Sequence, residues 1–210
     1  MLRPVLRGED VRPWQTAEPG DAIIWTHGAD GSPLVRLPPL AAAWLAPWKR
    51  RLSARSDAAR AVRYWSLFRT EAADCRRPRV VWSDISRVPR ATVLGPGDPT
   101  VPLNSCYVAI PPTLDDAFAL ATLLNSTPVA AWLCALGEPA RGGYKRFLGW
   151  TLARLPVPHD WPRAVSLLAP LGRAARAGET PDARSLAIAV ARAYRVRLAR
   201  LEPLLTWHLR

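Results

Sequence analysis

One segment of the chain places two glycines before a tyrosine, two cations and a phenylalanine, in the order RGGYKRF from Arg141 to Phe147. Cationic side chains bind phosphates, and flat aromatic rings stack on planar groups. Glycines let backbone N–H groups approach an anion closely. Together these residue types favour a polyanion that carries flat groups, and nucleic acid is one such partner. The candidate binding residues here are Arg141, Gly142, Gly143, Tyr144, Lys145 and Arg146.

The same segment also fits a purely structural role. A glycine-rich stretch can close a pair of helices. In that case the rings of Tyr144 and Phe147 would pack in the core, and Phe147 suits the core better than a contact surface. Taken alone, the segment leaves both interpretations open.

Net charge is the strongest compositional signal, because 29 basic residues against 17 acidic ones give +12 at pH 7. A field of this sign attracts polyanions at long range, and arginine forks match phosphates and guanine edges. A ribosome-associated protein, a protein of anionic membranes and a simply soluble basic protein are alternatives to nucleic-acid binding. No run of eighteen apolar residues predicts a membrane span, and the N-terminus lacks the apolar stretch of a signal peptide. We therefore expect a cytoplasmic protein with no membrane partner.

Residues for catalysis or metal binding are not grouped in the sequence. The three cysteines and three histidines are scattered without a Cys-x-x-Cys pair, which predicts neither a disulfide framework nor a zinc site. Glycine-rich cofactor turns, Walker loops and Asn-Pro-Pro-Tyr type motifs are absent from the sequence. Asp115 and Asp116 are typical of a helix N-terminus. We therefore expect no catalytic residue, no metal and no cofactor in this chain.

The beginning of the chain predicts an opening loop followed by a hairpin. Residues 22–27 form a short apolar strand, residues 28–32 a turn and residues 33–37 its return. Residues 39–55 then have helical periodicity.

Within that helical stretch, Leu40, Trp44 and Trp48 recur at four-residue spacing and would line one face. Pro47 interrupts the pattern, which predicts a kink or two short helices.

The middle of the chain predicts a small, mostly antiparallel sheet with packed helices, and therefore an α+β fold. Three β-rich stretches are separated by loops with proline and glycine, at residues 79–85, 91–95 and 105–110. Thr113 and Asp116 resemble a capping box that opens an apolar helix, and a second helix follows over 128–136.

Beyond Trp161 the composition shifts towards Ala, Leu and Arg, which predicts a helical C-terminal tail with helices over 162–177 and 181–201. We therefore divide the chain into a domain at 1–161 and an extension at 162–210. The second tail helix carries an apolar stripe that must bury against the neighbouring helix or a partner protein. Its members are Leu186, Val190, Ala193, Tyr194, Leu198 and Leu201.

Five motifs in a fixed order resemble the target recognition domain of type IIG restriction-modification enzymes and related adenine-N6 DNA methyltransferases. Each motif alone is weak, but their order over roughly residues 2–161 is fairly specific. The motifs are LRPVLRGEDVRPW (2–14), RPRVVWSDIS (77–86), LNSCYVAI (103–110), LATLLNSTPVAAWL (120–133), and RGGYKRF (141–147) with LPVP (155–158) after it.

The resemblance implies a domain that, in its relatives, follows the methyltransferase domain, closes over DNA and reads the sequence whose adenine is methylated. This chain starts where that domain starts, so it is similar to a detached recognition module without a catalytic half. S-adenosylmethionine is then expected only on a partner methyltransferase. A separate methyltransferase or endonuclease subunit is a candidate partner through the C-terminal helices. Three alternatives follow for a module without a catalytic half: it works in trans with a separate methyltransferase, it is the remnant of a split gene, or it has taken another role.

For a DNA reader, the glycine segment is the first choice of contact, and arginines around the 79–85 strand are the second. For Arg77 and Arg79, the alternative role is that of solvated strand ends. Two other functions stay open: an interaction protein whose tail stripe docks a partner, and an RNA-binding protein, for which no RNP, KH or double-stranded-RNA signature is present. The second-choice residues are Arg76, Arg77, Arg79, Arg87 and Arg90.

Overall fold

The structure is a computed structural model that describes residues 1–56, 63–179 and 181–207. Small antiparallel sheets combine with helices, and the last helices lie at the C-terminal end of the chain. The predicted α+β class is therefore confirmed.

The N-terminal sheet is centred on β1 (Leu2–Leu6), which the sequence had suggested to be part of a loop. β1 pairs antiparallel with β4 (Ala22–Ile24) and parallel with β8 (Val101–Pro102). The predicted hairpin is confirmed only around its turn, where an antiparallel bridge joins His27 and Pro33. The predicted return strand over 33–37 does not form, and β4 pairs with β1.

The central sheet places β5 (Arg79–Ser83) between β7 (Ala91–Leu94) and β9 (Cys106–Ala109), both antiparallel to it. These are the three predicted strands, and they are confirmed. Alternate side chains of a strand point to opposite faces, so Trp82 packs in the main core and Val81 in a second cluster. β-branched and aromatic residues suit a strand covered on both faces.

A two-stranded ribbon covers the outer edge of β7. It consists of β2 (Val11–Arg12) and β3 (Gln15–Thr16). Between them, the N–H of Trp14 donates to the carbonyl oxygen of Ala91 at 2.8 Å. That edge of the central sheet is therefore hydrogen-bonded at the first residue of β7.

Two apolar helices, α3 (Leu114–Leu124) and α4 (Thr127–Leu136), pack beside the central sheet. The predicted capping box opens α3: the Thr113 side chain accepts the Asp116 N–H at 3.1 Å, and the Asp116 carboxylate accepts the Thr113 N–H at 3.0 Å. Asn125 ends α3 and makes two 2.9 Å hydrogen bonds with the backbone at the start of β7, so its side chain links this helix to the central sheet. In the described ranges no single helix is long and apolar enough to cross a membrane; only α3 with α4, bent by 71°, passes that test as a pair.

The helical stretch before the central sheet is broken, as predicted. α1 (Pro39–Leu45) and α2 (Lys49–Ser53) are separated by a 3-10 turn over Ala46–Trp48 that contains Pro47. The shared face of these helices points to solvent and not into the core. Its members are Leu40 (88% exposed), Trp44 (59%) and Trp48 (45%).

Three helices make up the C-terminal part: α6 (Trp161–Arg176), α7 (Ala183–Ala193) and α8 (Glu202–Leu205). α6 crosses α3 at Gly172, where a Cβ would lie 2.8 Å from a backbone oxygen of α3. Side chains of α3, α6, α7 and the central sheet share one core. The domain boundary at residue 161 stays a prediction.

The apolar stripe of α7 packs inside the chain. Leu186 and Val190 are almost fully buried, which confirms the intramolecular alternative. The predicted helix over 181–201 is too long, because α7 ends at Ala193 and Arg195 adopts a left-handed φ of 54°. The later members of the stripe therefore lie beyond the helix.

Candidate nucleic-acid interface

A third small sheet brings two of the candidate segments together. β11 (Lys145–Arg146) lies between β10 (Glu138–Pro139) and β6 (Ile85–Ser86), antiparallel to both. Lys145 stands opposite Ser86 in this register. The cations after β5 and those of the glycine segment therefore meet, although they are far apart in sequence.

The glycine segment forms a tight loop between β10 and β11. The N–H of Ala140 donates to the carbonyl oxygen of Tyr144 at 2.8 Å and closes the loop. Gly142 and Gly143 have φ values of 74° and 77°, in the left-handed region that glycine adopts without strain. A Cβ on Gly143 would meet no atom within 4 Å. The conformation therefore requires these glycines, and the loop tip faces open space.

Four cations and one aromatic ring belong to this sheet and to the loops that adjoin it. The guanidinium of Arg87 lies 5.5 Å from the centre of the Tyr144 ring, which is 40% exposed. Arg141 is exposed and forms no hydrogen bond or ion pair with the described part of the chain. We call this group the basic loop surface, and it consists of Arg87, Arg141, Tyr144, Lys145 and Arg146.

Arg146 has a fixed position within the basic loop surface. Its guanidinium lies 3.1 Å from the Asp84 carboxylate, and the side chains are 44% and 14% exposed. The hydrogen bond from Arg146 to Asp84 raises the pKa of Arg146. The other Asp84 carboxylate oxygen is buried and has no hydrogen bond within the described residues. Glu138 faces Arg146 across the β10–β11 pair, so four cations and two carboxylates leave a net positive surface.

Phe147 anchors the loop to the central sheet. Its ring is fully buried, and its N–H donates to the Asp84 carbonyl oxygen at 2.7 Å. Its own carbonyl oxygen accepts the Trp82 indole N–H at 2.7 Å. The assignment of Phe147 to the core is confirmed. The segment thus combines a buried, hydrogen-bonded phenylalanine with an exposed basic loop.

Arg79 is wrong as a DNA contact. It is fully buried, and its guanidinium donates to the carbonyl oxygens of Ala72 (3.2 Å), Thr100 (2.8 Å) and Asp98 (2.7 Å). Burial lowers the pKa of Arg79, but a guanidinium stays charged in proteins. This side chain ties two loops to the start of β5 and cannot reach a ligand outside.

The other second-choice arginines do not all join the basic loop surface. Arg76 and Arg77 are exposed and precede β5, whose first residue lies about 17 Å from Asp84 along the strand. The Arg76 fork makes two 3.0 Å hydrogen bonds to the Asp74 carboxylate. Arg90 is half-buried between β6 and β7. Among the second-choice arginines that the structure describes, only Arg87 packs on the Tyr144 ring.

Two features of this region were missed in the sequence. Asp84 has no local signal, because its partner Arg146 is brought to it only by the β6–β11 pairing. The second feature is a cation–aromatic pair between Trp150 and Arg154. Trp150 lies in α5 (Gly149–Leu152) and is 43% exposed, and the Arg154 guanidinium lies 4.9 Å from its ring centre. The four-residue spacing of Trp150 and Arg154 on a helical turn could have indicated this contact.

The adjacent carboxylates at the start of α3 serve the fold. Asp115 pairs with Arg173 of α6, and Asp116 accepts the Trp161 indole N–H at 2.7 Å. The hydrogen bond from the Thr113 hydroxyl lowers the pKa of Asp116. Their assignment to a helix N-terminus is confirmed. Among the described residues, no group of three or more His, Cys, Asp or Glu side chains could hold a metal ion.

No protein-family model matches this chain, and no curated protein is significantly similar to it. The resemblance to target recognition domains stays a prediction that rests on the five motifs.

Proposed function

We propose that this protein is a sequence-specific reader of duplex DNA from a restriction-modification system of the adenine-N6 methyltransferase class. The observation that carries the proposal is the basic loop surface, where Arg87 lies 5.5 Å from the ring of an exposed tyrosine on a glycine loop that begins with Arg141 and leads into Lys145 and Arg146. The order of the five motifs supports the class of system.

The cations of this surface suit two different tasks in DNA recognition. Phosphate contacts hold a protein in register, and contacts with base edges read the sequence. Arg141, exposed and unpaired within the described ranges, suits a phosphate. Arg146, held by the partly buried Asp84, presents its remaining N–H groups in a fixed direction. A pre-oriented guanidinium suits the two acceptors of guanine, so Arg146 is the proposed base reader.

This chain supplies no catalytic group in the proposed function. A separate methyltransferase subunit would bind S-adenosylmethionine and transfer the methyl group to adenine. The C-terminal helices are the proposed docking site for that subunit. Since Leu186 and Val190 are buried in the chain's own core, the docking contact would use exposed polar residues such as Arg184 and Arg192.

A protein-interaction function is the second candidate, and the exposed face of α1 and α2 favours it. Leu40, Trp44 and Trp48 are exposed there beside three cations. Exposed apolar patches often mark interaction sites. This face would bind a partner without any need for the basic loop surface, so variants of the two surfaces separate the two functions.

The proposed function predicts a strong salt dependence of DNA affinity. Cations that neutralise phosphates release counterions, so affinity for duplex DNA should fall roughly tenfold or more between about 50 and about 200 mM salt. Fluorescence anisotropy with a labelled duplex measures this dependence. Equal affinity at both salt concentrations, or preference for single-stranded RNA over duplex DNA, would contradict the proposal.

A further inference from the structure

The outer edge of β9 presents backbone groups that do not bond to β5. In an antiparallel pair, hydrogen-bonded residue pairs alternate with non-hydrogen-bonded ones. The Asp84 N–H donates to the Ser105 carbonyl oxygen at 2.9 Å, so the Trp82–Tyr107 pair, two residues on, is also hydrogen-bonded. Val108 lies between the bonded positions, so its N–H and C=O point away from β5.

Several outward groups follow one another along this edge. The Cys106 N–H donates to the Leu103 carbonyl oxygen at 2.9 Å, which closes one end. The Cys106 carbonyl, both backbone groups of Val108 and the N–H of Ile110 have no hydrogen-bond partner among residues 1–56, 63–179 and 181–207. The outer edge of β7, by contrast, packs against the β2–β3 ribbon, and the Trp14 N–H between those strands donates to Ala91.

A cleft of about 690 Å³ runs along this free edge. Its β9 side is formed by Cys106, Tyr107, Val108 and Ile110. The cleft contains one basic and one acidic side chain, Arg69 and Glu71, so their charges offset each other. Most of the remaining lining is apolar, and it includes Trp25, Leu67, Phe68, Val101 and Leu103.

We propose that the β9 edge binds an extended, uncharged, apolar peptide segment of a partner protein as an added strand. A strand repeats its backbone groups every two residues, and the outward groups of Cys106, Val108 and Ile110 have that repeat. The mostly apolar lining of the cleft suits the side chains of such a segment. The balanced charge of the cleft does not favour DNA, so this site is separate from the basic loop surface.

Hydrogen exchange tests the free edge first. In the protein alone, the Val108 amide should exchange at least about tenfold faster than the Tyr107 amide, which bonds to β5. Strong protection of Val108 in the free protein would overturn the proposal.

Selection from a displayed library of random short peptides tests the occupant. The proposal predicts enriched peptides rich in β-branched and aromatic residues, and their binding should protect the Val108 amide. Methylation of the peptide's backbone nitrogens, one at a time, should weaken binding about tenfold or more at every second residue only, because only alternate N–H groups bond to the edge.

A protein variant adds an independent check. Val108→Pro removes the outward N–H, and an edge strand tolerates proline where its N–H faces away from the sheet. It should bind the selected peptides about tenfold or more weakly and keep its DNA affinity. Failure to enrich any peptide, or equal effects of methylation at all positions, would contradict the proposal even if this variant does not fold.

Discussion

Changing Arg141, Lys145 and Arg146 to alanine should weaken binding to duplex DNA by more than about a hundredfold. Loss of one bidentate base contact costs about 1–3 kcal/mol, and the two further cations add phosphate contacts. The variant should also carry Asp84→Asn, because Arg146 is the ion-pair partner of this partly buried carboxylate. With that change, the loop is expected to keep a melting temperature close to that of the Asp84→Asn protein.

The matched control removes the same charges elsewhere. Lys49, Arg50 and Arg51 are also two arginines and one lysine, and all three are exposed in α2. Made in the same Asp84→Asn background, their change to alanine lowers the net charge equally and should reduce affinity much less. Equal losses in the two triple variants would mean that overall charge, and not the basic loop surface, determines binding. A loop variant that melts far below Asp84→Asn but binds DNA normally would show a purely structural loop.

Changing the buried Arg79 to methionine should lower the free energy of unfolding by about 3 kcal/mol or more. The change leaves three carbonyl oxygens without their donor, and each unsatisfied buried group costs about 1–3 kcal/mol. A typical domain is stable by only about 5–15 kcal/mol, so this loss is large. Urea denaturation followed by tryptophan fluorescence measures it.

Arg77 provides the comparison for this second prediction, because it lies two residues away and is exposed. Arg77→Ala should change the free energy of unfolding by no more than about 0.5 kcal/mol. If Arg79→Met and Arg77→Ala destabilise the protein equally, the buried hydrogen bonds of Arg79 do not support the fold. Folded Arg79→Met protein should bind DNA normally, in line with its removal from the contact surface.

The elements that the sequence predicted correctly are those that local chemistry decides. The β-branched residues of β5 indicate a strand wherever they lie, and Thr113 with Asp116 opens a helix through contacts three residues apart. Pro47 breaks a helix by its own geometry. Gly142 and Gly143 likewise supply a left-handed loop that few other residues adopt.

The errors concern features that depend on partners distant in sequence. Arg77 and Arg79 look alike in sequence, but Arg79 is buried because the loop at residues 98–100 folds over it. The convergence of Arg87 with Tyr144 depends on the β6–β11 pairing, which no local pattern specifies. β1 was missed because its pairing with β4 could not be predicted from either segment alone.

Selection of bound sequences from randomised duplex DNA tests the central claim most directly. The purified protein is incubated with the duplex pool, and the retained molecules are sequenced over several rounds. We expect one enriched motif that contains a guanine whose preference is lost when Arg146 is changed to alanine in the Asp84→Asn background. Retained sequences that match the starting pool would contradict sequence-specific recognition by this protein.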